Sequence, residues 1–283
     1  MRAKRLYVFG AVIALMGVYV GGSVQAADTD DDAVTVSRSG KVVDVDGKSV
    51  AVEELAPGDV HVKYDQSLLG DYPRLVVVDG LVSYVVPFAS LKSIVLTGKD
   101  KWTVQFMFAG RPQQVAGKLE KTTITGKLDQ AALFSIESNR IKSLTFTDKA
   151  DPKAFKKRIA YMYTLGLSDR SRVQVAGLKR YAFYHQNYMD RDVNPPVKRT
   201  REVHSHFANL KLMKGLAEHT IPFDSLRKIE FFPDKVVATG KNRKRATLKQ
   251  SEHWESRITG YTGISAKGEV FVAGKSVSTI DIK

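Results

Sequence analysis

Leu75–Leu96 reads LVVVDGLVSYVVPFASLKSIVL, and Leu210–Phe231 reads LKLMKGLAEHTIPFDSLRKIEF. Eight of the twenty-two columns are identical without a gap: Leu75/Leu210, Gly80/Gly215, Leu81/Leu216, Pro87/Pro222, Phe88/Phe223, Ser90/Ser225, Leu91/Leu226 and Ile94/Ile229. Unrelated segments of this composition share roughly one or two. Each block is an apolar run, a glycine turn, a second run, and then Pro-Phe-x-Ser-Leu-basic-x-Ile. Short runs punctuated by Gly, Asp and Pro are the signal of strands and hairpins. Proline cannot donate to a ladder and belongs at a strand start or an edge. The Pro-Phe segment therefore reads as a structural corner, with Phe and Leu in the core and one helical turn over Phe88–Lys92 and Phe223–Arg227.

The same reading extends on both sides of the repeat. Val43–Gly47 and Trp102–Phe108 alternate apolar and polar residues and then meet turns. Ile124-Thr125-Gly126 recurs as Ile258-Thr259-Gly260, and Phe134, Ile136, Ile141, Leu144 and Phe146 recur as Val270, Val272, Val277, Ile280 and Ile282. No stretch beyond residue 26 keeps a long 3.6-residue apolar period. The expectation is an all-β protein made of two homologous small β-barrel or β-sandwich domains, residues 34–148 and 160–283, from an internal duplication. Asp151-Pro152, an N-cap followed by proline at the first helical position, predicts a short helical linker over 149–159. His185–Phe207, with Asn194-Pro195-Pro196, reads as a long exposed loop.

Met1–Arg5 is basic, Leu6–Val20 apolar, and Val24-Gln25-Ala26 fits signal-peptidase cleavage, so residues 1–26 read as a signal peptide. Ala27–Ala33 reads as a disordered acidic spacer. The expected location is bacterial periplasm or the extracellular space, with no transmembrane segment after cleavage. The chain has no cysteine. That excludes thiol nucleophiles, thiolate zinc sites and dithiol redox chemistry. A chain of this length can bury a core large enough to stand without disulfides.

Charge is unevenly distributed. Residues 27–150 hold 15 basic and 17 acidic residues, net −2, and residues 151–283 hold 26 and 13, net +13. A basic half attracts anionic partners through its field. Lys241, Arg243, Lys244 and Arg245, joined by Lys198, Arg199 and Arg201, are the candidate anion-binding residues. In an exported protein the matching partners are an anionic glycan, a lipid headgroup or an acidic protein surface, with nucleic acid less accessible.

His204 and His206 share a face at strand spacing. With His185 they are the candidate metal ligands, although no second diagnostic spacing accompanies them. Glu252 and Glu255 flank Trp254 in a pattern compatible with sugar hydrolysis. No nucleophile elbow, phosphate-binding glycine loop, zincin motif or EF-hand occurs. The expected function is that of a non-catalytic, cofactor-free binding or scaffolding protein of the cell envelope, whose second domain contacts an anionic partner. The alternatives are a hydrolase acting on an envelope polymer and a metal-binding periplasmic protein.

Overall fold

A computed structural model describes residues 38–58, 73–128, 132–148, 162–190, 192, 195–250 and 258–283, with 183–186 and 201–204 described by backbone alone. The expected signal peptide, acidic spacer and helical linker lie outside the described residues. Among them the fold is nearly all β, with 21 strands joined by antiparallel pairings into one open sheet.

The first ten strands are β1 (Arg38–Asp44), β2 (Ser49–Gly58), β3 (Arg74–Asp79), β4 (Val82–Pro87), β5 (Leu91–Gly98), β6 (Lys101–Phe108), β7 (Arg111–Leu119), β8 (Thr123–Lys127), β9 (Leu133–Glu137) and β10 (Ile141–Phe146). They pair in the order β9–β8–β2–β1–β10–β5–β6–β7–β3–β4. The rest are β11 (Tyr163–Leu167), β12 (Arg172–Asp190), β13 (Val197–Phe207), β14 (Asn209–Lys214), β15 (Ala217–Pro222), β16 (Leu226–Phe231), β17 (Val236–Gly240), β18 (Arg245–Gln250), β19 (Gly260–Ser265), β20 (Gly268–Ala273) and β21 (Val277–Ile282). They repeat the order as β20–β19–β12–β11–β21–β16–β17–β18–β14–β15, and β13 is added beside β12. One pairing, β4 with β20, joins the two sets.

Register repeats along with order. Val42 faces Leu144 with a bulge between Val43 and Asp44, and Leu165 faces Ile280 with a bulge between Gly166 and Leu167. A second bulge separates Glu53 from Ala56 where β2 meets β8, and Ala176 from Lys179 where β12 meets β19. Within these bulges Glu54 has φ 50° and Gly177 φ 59°, the left-handed backbone that an inserted residue requires. The β1–β2 and β11–β12 turns match too, with Gly47 at φ 84° and Arg170 at φ 70°.

Register also corrects one alignment. Ile124-Thr125-Gly126 stands where Tyr261-Thr262-Gly263 stands, not where Ile258-Thr259-Gly260 does. A β-carbon on Gly126 would run into Val52, and one on Gly263 into Val175. The close approach of the neighbouring strand, rather than the Ile-Thr flanks, is what demands glycine at that place.

Both Pro-Phe segments form the expected corner, shortened to the 3-10 turns Phe88–Ser90 and Phe223–Ser225. Ser90 Oγ donates to Pro87 O at 2.8 Å and Ser225 Oγ to Pro222 O at 2.7 Å. Phe88, Leu91 and Ile94 are buried, as are Phe223, Leu226 and Ile229. In the first set the corner has a further clamp: buried Arg38 donates Nη1 to the carbonyls of Phe88, Ala89 and Leu91. Its Nη2 meets Asp148 Oδ1 at 2.9 Å, and its guanidinium lies 4.0 Å over the Phe146 ring.

His185–Phe207 is not a loop. β12 runs 19 residues, and its second half pairs with β13 from Arg180↔Phe207 to Asp190↔Val197. The alternation on either side of Asn194-Pro195-Pro196 is that of a hairpin, and a second strand satisfies the backbone groups that a loop would leave to water.

Candidate functional site

The cationic residues fall on two protrusions of the second set. Lys241–Lys244 form the turn between β17 and β18, and Arg245 opens β18; all are exposed. Gly240 N donates to Lys244 O at 2.9 Å, and Lys244 N donates to Asn242 Oδ1 at 3.0 Å. Arg243 takes a left-handed φ of 63° to close the turn. Glu230 on β16 accepts from Lys228 at 2.9 Å and Arg245 at 3.2 Å. The Lys228 hydrogen bond, helped by the charges of Lys228 and Arg245, holds the Glu230 carboxyl below its ordinary range. Among the described residues Lys241, Arg243 and Lys244 make no ion pair.

The second protrusion is the β12–β13 ribbon. Its root is anchored: Arg180 is buried, donates Nε to Asn209 O at 3.2 Å, and lies 4.3 Å over Phe207. Tyr181 packs edge-on against Phe271 at 5.6 Å. Beyond Tyr181, β12 pairs among the described residues with β13 alone. At the tip Tyr188, Met189 and Val197 are exposed large apolar side chains beside exposed Lys198 and Arg199.

Register divides the sequence cluster. In register Arg199 stands opposite Tyr188, Arg201 opposite Gln186 and Lys198 opposite Met189, which puts Arg199 and Lys198 on different faces of the ribbon. Arg199 Nε also pairs with Asp190 Oδ2 at 2.8 Å. β13 hydrogen-bonds to β12, and no extended contact joins it to β17 or β18 among the described residues. The two cation groups thus sit on different elements, the β12–β13 ribbon and the β17–β18 turn.

In register His206 stands opposite Tyr181, His204 opposite Phe183 and His185 opposite Glu202. The His206 ring stands 5.3 Å from that of Tyr181. The side chains of His185, His204 and Arg201 lie outside the described residues, as do Glu252, Trp254 and Glu255. The described residues hold no group of three or more metal-ligating side chains. Nor do they contain a helix long and apolar enough to cross a membrane.

Sequence reasoning missed the ribbon and its apolar tip. The signal was available as alternating runs on both sides of a Pro-Pro turn, but Pro-Pro and the dense charge suggested irregular chain instead. No protein-family model matches this chain, and no curated protein or solved structure matches it either.

Proposed function

We propose that the protein is an exported, non-catalytic binding or scaffolding protein of the cell envelope, whose second domain contacts an anionic partner. Its two domains, residues 34–148 and 160–283, are read as products of an internal duplication, each a small barrel or sandwich. The partner is an anionic glycan, a lipid headgroup or an acidic protein surface.

One observation carries this reading. The two strand sets share pairing order and register, yet depart from each other at the places that hold the cations. Where β6 and β7 run on to pair Phe108 with Arg111, β17 and β18 stop at Thr239↔Arg245 and close on Lys241–Lys244. In the ribbon's place, between β2 and β3, the first set has residues 59–72, which lie outside the described residues. The second half carries these cations together with a net +13, although self-repulsion opposes compactness.

The test is sedimentation of the full chain with anionic-lipid and neutral vesicles, and its retention on acidic and neutral polysaccharide. Binding is expected on the anionic arms alone and should fall as salt rises, because exposed charges are screened beyond about 8 Å at physiological ionic strength. Replacing Lys241, Arg243, Lys244 and Arg245 together by Ser should weaken binding more than about tenfold, since each cation at an anionic surface contributes about 1 kcal/mol. The same measurement on Lys198→Ser/Arg199→Ser/Arg201→Ser reports the ribbon's share. Unchanged binding in both variants would reduce the charge to a solubility feature.

A further inference from the structure

The path of pairings in each set ends on two edges, and the molecule joins one edge of each. β4 of the first set pairs with β20 of the second, Val82 opposite Val272 and Val85 opposite Glu269. In the second set the strand in β4's place is β15; in the first set the strand in β20's place is β9. Among the described residues β15 pairs with β14 alone and β9 with β8 alone. The mated edges are buried, with Val82, Tyr84, Val85, Val270 and Phe271 all below a tenth exposed. By contrast Ala217–Thr220 are exposed throughout, and Leu133 keeps 86% of its surface.

We propose that β15 of one molecule pairs antiparallel with β9 of a second copy, repeating between chains the junction that β4 and β20 make within one. The transferred register sets Ala217 opposite Ile136, Glu218 opposite Ser135, His219 opposite Phe134 and Thr220 opposite Leu133. An unpaired edge offers a row of N–H and C=O groups that an added strand satisfies. β9 lacks the usual protection, since Leu133–Glu137 contains neither lysine nor proline and includes Leu133, Phe134 and Ile136.

The internal junction selects the occupant: the strand seated against β4 is β20, and β9, which stands in β20's place in the first set, is the matching surface for β15. At the β4–β20 junction a β-carbon on Gly268 would stand 3.9 Å from the Phe106 ring and 4.0 Å from the Phe108 ring. The corresponding β17–β18 hairpin is shorter and closes on Lys241–Lys244. Because β15 and β9 are different surfaces, the contact is head-to-tail and yields a ring or a filament.

The chain has no cysteine, which makes register testable. Directly opposed strand residues stand about 4.5–5.5 Å apart at Cα, within the reach of a disulfide at about 4.4–6.8 Å. The full chain with Leu133→Cys and Thr220→Cys, oxidised without any anionic partner present, should give a ladder of covalent oligomers that reductant collapses. Mixed single-cysteine chains should give a dimer and nothing longer. The off-register pair Leu133→Cys and Glu218→Cys should lose the ladder. Equal cross-linking off register, dimers from Leu133→Cys alone, or closure within one chain would each overturn the pairing. Independently, the unmodified chain should sediment faster as its concentration rises, and Leu133→Lys with Thr220→Lys should abolish that rise. An unmodified chain that stays monomeric throughout also overturns it.

Discussion

Tyr261 is buried, and its hydroxyl finds no hydrogen-bond partner among the described residues. Burial pushes its pKa up, with the charge of Arg180 opposing the shift only in part. The equivalent place in the first set holds Ile124, which has no polar atom to satisfy. Tyr261→Phe is therefore expected to stabilise the fold by about 1 kcal/mol, the cost of a buried unpaired hydroxyl, measured by urea denaturation; a loss of that size would reveal a hidden partner. Arg170 offers a second comparison, because it holds a φ of 70° where the first set has Gly47. An L-residue in left-handed backbone costs roughly 1–2 kcal/mol. Arg170→Gly should recover about 1 kcal/mol of it in thermal unfolding, while Gly47→Arg should lose a similar amount. At this scale Gly80/Gly215 and Phe88/Phe223 were legible, since chemistry alone demanded them. The Arg38 clamp was not, because its acceptors are carbonyls some fifty residues away, at |i−j| of 50 to 53.

Each strand is held by its neighbours, and the β16–β17–β18 meander shows how charge adds to that pairing. Glu230 on β16 reaches past β17 to Arg245 on β18, with Lys228 on its own strand. Its folded pKa is held below the ordinary 4.5, first by the Lys228 hydrogen bond and then by the charges of Lys228 and Arg245. A depressed carboxylate contributes stability that is present above the unfolded pKa and lost as pH falls through the folded one. Stability should therefore decline as pH drops below about 4.5, and Glu230→Gln should flatten that decline; an identical acid profile in the variant would show that other carboxylates set it. The element that sequence reading misjudged is the β12–β13 ribbon. Its alternation was intact, but the break at Asn194-Pro195-Pro196 and the dense charge gave it no clear apolar stripe in the sequence, and burial periodicity is the signal on which strand assignment rests.

At the scale of the molecule, the junction between β4 and β20 decides whether the two strand sets behave as one cooperative unit. Val85 faces buried Glu269 across it, and lies on the side of β4 away from the cluster that holds Val82, Tyr84 and Val86. Val85→Asp sets two carboxylates opposite each other in a dry contact, where like charges cost most. If the sets are domains in their own right, calorimetry of this variant should resolve two unfolding transitions from one; a single transition at lower temperature would make them one domain. Sequence alone determined the class of structure and the position of its corners. Alternation, glycine turns and the Pro-Phe-x-Ser-Leu segment act locally, through backbone freedom and burial, and so can be read one residue at a time. The tertiary structure decided which strands meet. It moved the glycine equivalence from Gly260 to Gly263, turned an expected loop into a ribbon, split one cation cluster across two faces, and left β9 and β15 as edges. All of these depend on partners distant in sequence, and pairing register is a property of two strands that neither strand carries by itself.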